Sequence, residues 1–223
     1  MFSLAKKDIY CMPGMAASPA IFERICLPEP FELHLLDWEM PLKDESLHDY
    51  AKRIIKKIKT PKPILLGVSF GAIIVQEIAK IIDYECIIIV SSIKSHKELP
   101  PRLRLARQTN LHRILPTQWI INKKFWKFFS FVRTIKFRQK LYEKYMTTMC
   151  NAQYLDWAID KLIHWQQPKP LPKTFHIHGD NDWVFPIQYI ENPIVIHKGT
   201  HIMIINRYRW FNENLPKLLI EKT

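Results

Sequence analysis

A serine stands between two glycines at the end of the apolar run PILLGVSFGAIIV, and few backbone arrangements accommodate that pattern. Glycine is scarce, at only 5 of 223 residues, yet Gly67 and Gly71 flank Ser69 symmetrically. The residues before the serine are typical of a short buried strand, and the residues after it include apolar side chains at helical spacing. Ser69 is therefore predicted to lie at a sharp strand-to-helix junction, where residues without side chains relieve the crowding. The alternative is an ordinary Gly-Ser turn that only joins the two elements.

Strands and helices alternate along most of the chain. The segments predicted as strands are DIYCM, FELHLLD, PILLGVS, CIIIVSS, TFHIHGD and PIVIHKG. We predict a turn and a helix in PGMAASPAIFERIC, a helix capped by Ser46 in DESLHDYAKRIIKKI, and a closing helical segment in HIMIINRYRWFNENLPKLLIEK. The continuous β-branched run CIIIVSS is typical of a strand covered on both faces of a parallel sheet. The alternation therefore predicts an α/β architecture.

The alternation stops at about Ser95 and returns at Thr174, which indicates an insertion over about residues 95–165. Within it, the segment WIINKKFWKFFSFVRTIKF places five apolar side chains on one helix face: Ile121, Phe125, Phe128, Val132 and Ile135. A further helix is predicted around Tyr154 to Trp165. At this length the whole chain, residues 1–223, suits a single domain with a substantial core.

The formal net charge of +12 comes mostly from the insertion, where 14 Lys or Arg residues stand against four acids. In order of preference, this excess indicates a solvated face without a partner, attraction to an anionic substrate or an acidic carrier protein, or contact with an anionic lipid surface. Nucleic-acid binding is not expected, because no zinc pattern, recognition-helix motif or aromatic RNA-binding signature accompanies the charge.

The chain has no apolar run of the roughly 20 residues that span a bilayer, and its first residues lack the pattern of a secretory signal. A cytoplasmic protein is therefore expected. Its four cysteines, Cys11, Cys26, Cys86 and Cys150, are far apart, show no metal-ligand spacing and are expected to be buried thiols. We expect neither a metal ion nor another cofactor.

A nucleophilic serine needs a base, and the base needs a carboxylate that orients it. In an open parallel sheet the carboxyl ends of the strands share one edge, so the partners of Ser69 should lie in loops at that edge. The strand TFHIHGD runs into NDWVFP, which places Asp180 and Asp182 there, and the strand PIVIHKG runs into a loop that contains His201. Three other histidines lie in or beside strands and are expected to point into the packed layers: His176, His178 and His197.

The motifs GVSFG, HGDNDWVFP and KGTH, in this order, resemble the nucleophile elbow, acid loop and histidine loop of the α/β-hydrolase superfamily. The resemblance covers nearly the whole chain outside the insertion. It implies a three-layer α/β-hydrolase fold, with a mostly parallel sheet of about six strands and a helical cap inserted after the fourth strand. It also implies that Ser69 is the nucleophile, His201 the base and Asp182 the acid, with Asp180 as the second choice for the acid.

The same resemblance implies an oxyanion hole made of two backbone N–H groups. One belongs to Phe70, directly after the nucleophile, and the other to Met15 in the loop MPGMAAS after the first strand. Gly14 lets that loop approach closely and is included in the substrate pocket. The loop resembles the His-Gly-x loop of the superfamily, but Pro13 stands where the histidine is usual, which weakens the assignment of Met15.

A cap over such a crevice commonly forms the substrate pocket, and its aromatic residues indicate an apolar substrate portion. The apolar stripe of the insertion is expected to attach the cap to the body, whereas Trp126 and Phe131 fall outside the stripe and are pocket candidates.

Two functions remain open. The first is a serine hydrolase that cleaves a small carboxylic ester or thioester through an acyl-enzyme. The second is an inactive protein of the same fold that binds a lipid, an acyl carrier or another anionic partner through its basic cap.

Overall fold

A six-stranded sheet in which every neighbouring pair is parallel forms the centre of the molecule, in the order β2-β1-β3-β4-β5-β6. The computed structural model describes residues 6–110, 144–145 and 151–221. The strands are β1 (Lys7–Met12), β2 (Phe31–Leu35), β3 (Ile64–Val68), β4 (Cys86–Val90), β5 (Thr174–Gly179) and β6 (Ile194–Ile196). All six predicted strands are present, and the predicted α/β architecture is confirmed.

The described α-helices are α1 (Leu47–Ile55), α2 (Phe70–Ala79), α3 (Pro101–Thr109), α4 (Ala152–His164), α5 (Met203–Asn206) and α6 (Tyr208–Glu221). Helix α1 begins where predicted, because the Ser46 side chain accepts a hydrogen bond from the Asp49 N–H at 3.1 Å. Helix α2 is buried along its whole length, as its apolar composition requires. It follows β3 after a single residue, Ser69.

Two apolar cores lie on opposite faces of the sheet, because successive strand residues point to opposite sides. On one face Leu65 packs with residues of α1, α2 and α4, including Tyr50 and Tyr154. On the other face Leu66 packs with the C-terminal helices, including Phe211 of α6. Helices, sheet and helices thus form the three predicted layers.

One helical prediction differs from the structure. The segment after β1 contains only one 3₁₀ turn, Pro19–Phe22, in place of a helix. The side chains of Ile21 and Phe22 are buried against the sheet from this single turn, so a longer helix is not required. The side chain of Ser18, which precedes the turn, makes no capping hydrogen bond. The predicted closing helical segment is present as two helices, α5 and α6, and Arg207 between them departs from helical backbone angles.

The insertion lies between β4 and β5 as predicted, and its described parts include α3 and α4. The predicted apolar stripe lies outside the described residues, within residues 111–143, and residues 146–150 are outside them as well. No helix in the described part of the chain has both the length and the apolar character needed to cross a membrane.

Of the cysteines, Cys11 and Cys86 are buried as predicted, Cys26 is exposed, and Cys150 lies outside the described residues. Burial raises the pKa of the Cys86 thiol to about 12.

Candidate active site

Three side chains from distant loops meet at the carboxyl edge of the sheet. Ser69 follows β3, Asp182 follows β5 and His201 follows β6. The Ser69 Oγ lies 2.9 Å from the His201 Nε2, and the His201 Nδ1 lies 2.9 Å from the Asp182 Oδ2. The structure thus brings together the serine, histidine and aspartate that the sequence singles out, within hydrogen-bonding distance.

Ser69 has a backbone conformation that few non-glycine residues adopt, with φ 53° and ψ −122°. Such a conformation costs about 1–3 kcal/mol and persists only where its surroundings hold it. Here the Ser69 N–H donates to the Val90 carbonyl at 2.9 Å, and the Ser92 hydroxyl donates to the Ser69 carbonyl at 2.7 Å. A Cβ atom at Gly67 would collide with the Ala72 backbone, so the glycine before the serine is required. The strand-to-helix junction is therefore as sharp as predicted.

The carboxylate of Asp182 is buried and fully engaged. Its Oδ1 accepts hydrogen bonds from the Val184 N–H at 2.8 Å and the Phe185 N–H at 3.0 Å, which leaves Oδ2 directed at His201. Burial acts to raise the pKa of Asp182, but the hydrogen bond and charge of His201, with the Phe185 N–H, bring the pKa below its ordinary value. Asp182 is thus held as an anion beside the imidazole.

A second histidine–aspartate pair lies in the same two loops. The His197 Nδ1 is 2.8 Å from the Asp180 Oδ2, and the side chain of His197 is 82% exposed. The prediction that His197 points into the packed layers is wrong, because β6 ends at Ile196 and the next side chain faces solvent. Asp180, the second choice for the acid, pairs with this exposed histidine and not with His201.

The loop after β1 approaches the serine closely. A Cβ atom at Gly14 would lie 3.4 Å from the Ser69 Cβ. The Gly14 carbonyl accepts a hydrogen bond from the Trp38 indole at 3.0 Å, and the Ala16 N–H donates to the Tyr154 hydroxyl at 3.2 Å. Between these two anchors, the Met15 N–H donates to no acceptor among the described residues.

The N–H of Phe70 is likewise without an acceptor in the described part of the chain, at the first turn of α2. Its side chain is fully buried and stacks on Trp38, with ring centroids 5.5 Å apart. Trp38 in turn meets the Tyr154 ring edge-on at 5.3 Å. One aromatic cluster therefore supports both backbone segments that carry the predicted oxyanion donors, the N–H groups of Met15 and Phe70.

Sequence reasoning missed three residues that hold the site: Trp38, Tyr154 and Ser92. Trp38 and Ser92 follow the carboxyl ends of β2 and β4, so the same edge rule that selected Asp182 could have found them. No local pattern marks Tyr154, because its contact depends on how α4 packs. The proposed pocket residues Trp126 and Phe131 lie outside the described residues.

Two predicted core histidines, His176 and His178, are buried on β5, and that prediction is confirmed. The His178 Nε2 lies 2.8 Å from the Phe185 carbonyl, and the His176 Nε2 has no partner among the described residues. Burial lowers the pKa of His176 well below its ordinary value, helped by the nearby charges of His178 and Lys94. Burial also lowers the pKa of His178. Both side chains are therefore neutral in the folded protein.

The buried histidines predict a loss of stability in mild acid. The unfolded chain takes up protons on these side chains at about pH 6.5, whereas the folded protein takes them up only at a lower pH, so their stabilising contribution is complete above pH 6.5 and declines below it. For each histidine the free energy of unfolding should fall by up to about 1.4 kcal/mol per pH unit. Urea unfolding between pH 7.5 and 5.5 measures this slope. His176→Gln, which cannot take up a proton, should show a smaller slope, and equal slopes would contradict the prediction.

One group of possible metal ligands occurs among the described residues. Atoms of Asp8, Glu32 and His34 lie within 4.8 Å of one another on β1 and β2. The His34 Nε2 is already 2.7 Å from the Asp8 Oδ1, and Lys6 pairs with Glu32. Asp8 is in the amino-terminal half of β1, away from the edge that carries Ser69. These contacts form a satisfied charge network outside the candidate active site.

No protein-family model matches the sequence, and no curated protein matches it. Solved structures do match. MenH from S. aureus is 13% identical, with a TM-score of 0.68, and the alignment covers 98% of this chain and 96% of that one. A thermophilic esterase from Thermogutta terrifontis is 12% identical, with a TM-score of 0.64 and coverage of 97% and 91%. The enol-lactonase from Burkholderia xenovorans LB400 is 11% identical, with a TM-score of 0.63 and coverage of 99% and 94%.

These likenesses extend over nearly the full length of both chains, so they concern the whole architecture and not a shared substructure. Together with the all-parallel six-stranded sheet, they establish that the chain has the α/β-hydrolase fold. The fold implied by the motifs is confirmed. At 11–13% identity the likeness concerns the fold alone.

Proposed function

We propose that this protein is a serine hydrolase that cleaves a small carboxylic ester or thioester through an acyl-enzyme. One observation carries the proposal: an unbroken pair of hydrogen bonds runs from the Ser69 Oγ through His201 to a buried aspartate. The strained backbone of Ser69 adds support, because strain of this kind is maintained where a side chain must be presented to a ligand.

In the first half of the reaction His201 acts as the general base. The Ser69 hydroxyl donates its proton to the His201 Nε2 as the Oγ attacks the carbonyl carbon of the substrate. Asp182 accepts the hydrogen bond of the Nδ1–H and stabilises the imidazolium that forms. The imidazolium then gives the proton to the departing alcohol or thiol, and the acyl group remains on Ser69.

In the second half water takes the place of the leaving group. His201 removes a proton from the water, the resulting nucleophile attacks the acyl carbon, and the imidazolium returns the proton to the Ser69 Oγ. Each half passes through a tetrahedral intermediate with a negative oxygen. The backbone N–H groups of Met15 and Phe70 are its proposed donors, and removal of one such donor typically costs about 3 kcal/mol in the barrier.

Two of the matching structures, the Thermogutta terrifontis esterase and the Burkholderia xenovorans enol-lactonase, are of enzymes named for the cleavage of esters. The likeness to these enzymes supports the proposal of a small ester substrate for this chain as well. We further propose that residues 95–165 form a cap with Trp126 and Phe131 in the pocket, and that its basic surface faces solvent or attracts an acidic carrier protein or an anionic lipid. A cytoplasmic location is part of the same proposal.

A fluorophosphonate probe tests the nucleophile. Such a probe reacts with an activated serine and releases fluoride, and we expect one probe per chain, attached to Ser69, by intact mass and peptide mapping. Ser69→Ala should abolish labelling, and the matched variant Ser46→Ala should retain it. Ser46 is an exposed helix cap, so its loss should lower the free energy of unfolding by about 1 kcal/mol without changing labelling.

Absence of labelling in the native protein, or labelling that survives Ser69→Ala, would refute the hydrolase proposal. The inactive binding protein would then be the better hypothesis. If labelling is confined to Ser69, acyl esters of increasing chain length identify the preferred substrate by their kcat/KM.

A further inference from the structure

Arg102, near the start of α3, reaches across to the loop that carries Asp182. Its Nη2 donates to the Trp183 carbonyl at 2.6 Å and to the Val184 carbonyl at 2.8 Å. The guanidinium also lies 5.9 Å from the centre of the Trp183 ring. One nitrogen of a single side chain therefore holds two successive carbonyl groups of the acid loop.

Those two carbonyls belong to the same peptide groups that hold the triad acid. The carbonyl of Trp183 and the N–H of Val184 are opposite ends of one peptide group, and the carbonyl of Val184 and the N–H of Phe185 are opposite ends of the next. Both N–H groups donate to the Asp182 Oδ1. Each peptide group thus lies between the Arg102 cation on one side and the Asp182 anion on the other.

We infer that Arg102 is a positioning residue for the proposed hydrolase, acting on Asp182 through these two peptide groups. Because a peptide group is rigid, fixing its carbonyl also fixes the direction of its N–H. Donation from a cation to the carbonyl polarises the peptide and strengthens the hydrogen bond that its N–H makes at the other end. Arg102 therefore keeps the Asp182 Oδ1 occupied and the Oδ2 directed at His201.

The assignment also connects the insertion to the catalytic residues. Arg102 is on α3, within the proposed cap, whereas the acid loop follows β5 of the sheet. The next carbonyl of the loop, that of Phe185, is paired with the His178 Nε2 from β5 itself. Two of three successive carbonyls are thus held by the insertion and one by the body, so the orientation of Asp182 depends on the seating of α3.

The test compares Arg102→Gln, Arg102→Lys and Arg104→Gln. Arg104 is an exposed arginine on the same helix, and among the described residues its side chain has no hydrogen bond to the acid loop, whereas that of Arg102 has two. With an ester substrate, we expect Arg102→Gln to lower kcat about tenfold with little change in KM, since misplacement of a group that supports the chemistry affects kcat. Arg102→Lys keeps the charge and should recover part of the loss, whereas Arg104→Gln should stay within about twofold of the native protein.

Two further measurements separate positioning from a loss of folding. All variants are compared at a temperature at which circular dichroism shows them to be folded.

The amide proton resonances of Val184 and Phe185 provide a measurement that does not need turnover. Both should move upfield in Arg102→Gln, as their hydrogen bonds to the carboxylate weaken, and remain in place in Arg104→Gln. If the native protein has no hydrolase activity, the proposed function fails, and these shifts still decide the role of Arg102. Unchanged amide shifts, or a kcat equal to that of Arg104→Gln in an active enzyme, would overturn the inference.

Discussion

Replacement of His201 by alanine is expected to lower kcat/KM for an ester substrate by about 10⁵-fold. Without the imidazole, the Ser69 hydroxyl has no group at 2.9 Å to take its proton, and the departing alcohol has no proton donor. The Asp182→Asn variant should lose about 10⁴-fold, because an amide in place of the carboxylate favours the wrong tautomer of His201. Initial rates at saturating ester concentration give kcat, and those at limiting ester concentration give kcat/KM, for the native protein and for each variant.

The second histidine–aspartate pair supplies the controls. His197→Ala and Asp180→Asn remove a pair with the same chemistry and nearly the same nitrogen–oxygen distance, 2.8 Å, from the same loops. Because this pair faces solvent and does not contact Ser69, both variants should keep kcat/KM within about twofold of the native value. A comparable loss in His197→Ala and His201→Ala would contradict the assignment of His201 as the base.

Gly71→Ala is expected to be the most destabilising single methyl addition in the elbow. A Cβ atom at Gly71 would lie 2.5 Å from the Met12 carbonyl oxygen and closer still to that of Pro13. Both obstacles are backbone of β1 and the loop after it, so neither a rotamer change nor a small shift relieves them. We expect a loss of about 3 kcal/mol and a fall in Tm of about 10 °C. Thermal unfolding followed by circular dichroism measures both.

Gly14→Ala is the matched control for stability. Its Cβ atom would lie 3.4 Å from the Ser69 Cβ and 3.5 Å from the Val68 carbonyl, which are ordinary van der Waals distances. The same chemical change should therefore alter the free energy of unfolding by less than about 1 kcal/mol. Equal losses at the two positions would show that the close contact between α2 and the loop after β1 does not require glycine.

The order and type of the strands could be predicted because each is a short apolar run bounded by turn residues. The Ser46 cap and the buried face of α1 follow from spacing within one helix, which is local information. The secondary structure of the segment around Pro19–Phe22 could not be predicted from the sequence, because its apolar residues suit either a full helix or a single turn packed on the sheet. Only the available surface of the sheet decides between the two.

The candidate triad could be selected for a geometric reason. In a parallel sheet every strand delivers its following loop to the same edge, so position along the chain gives position in space for Ser69, Asp182 and His201. The contacts of Arg102 and Tyr154 could not be selected in that way. They depend on how helices of the insertion pack on the body, and spacing along the sequence does not contain that information. The prediction for His197 is wrong because β6 ends at Ile196, three residues before the end of the predicted strand PIVIHKG.

The strands that flank the insertion are parallel hydrogen-bonded neighbours, with Val90 opposite Ile177, so any shorter connection must still cross from the carboxyl edge of the sheet back to its amino edge. Helix α4 argues against excising everything between them, since Trp157 fills the core and the Tyr154 hydroxyl holds the Ala16 amide. Tyr145 is buried as well, and its carbonyl accepts a hydrogen bond from the Ser18 N–H, so a chimera that tests the proposed pocket should splice foreign sequence after Asn110 and rejoin the native chain at Lys144. Such a graft keeps the Arg102, Tyr145 and Tyr154 attachments while replacing residues 111–143.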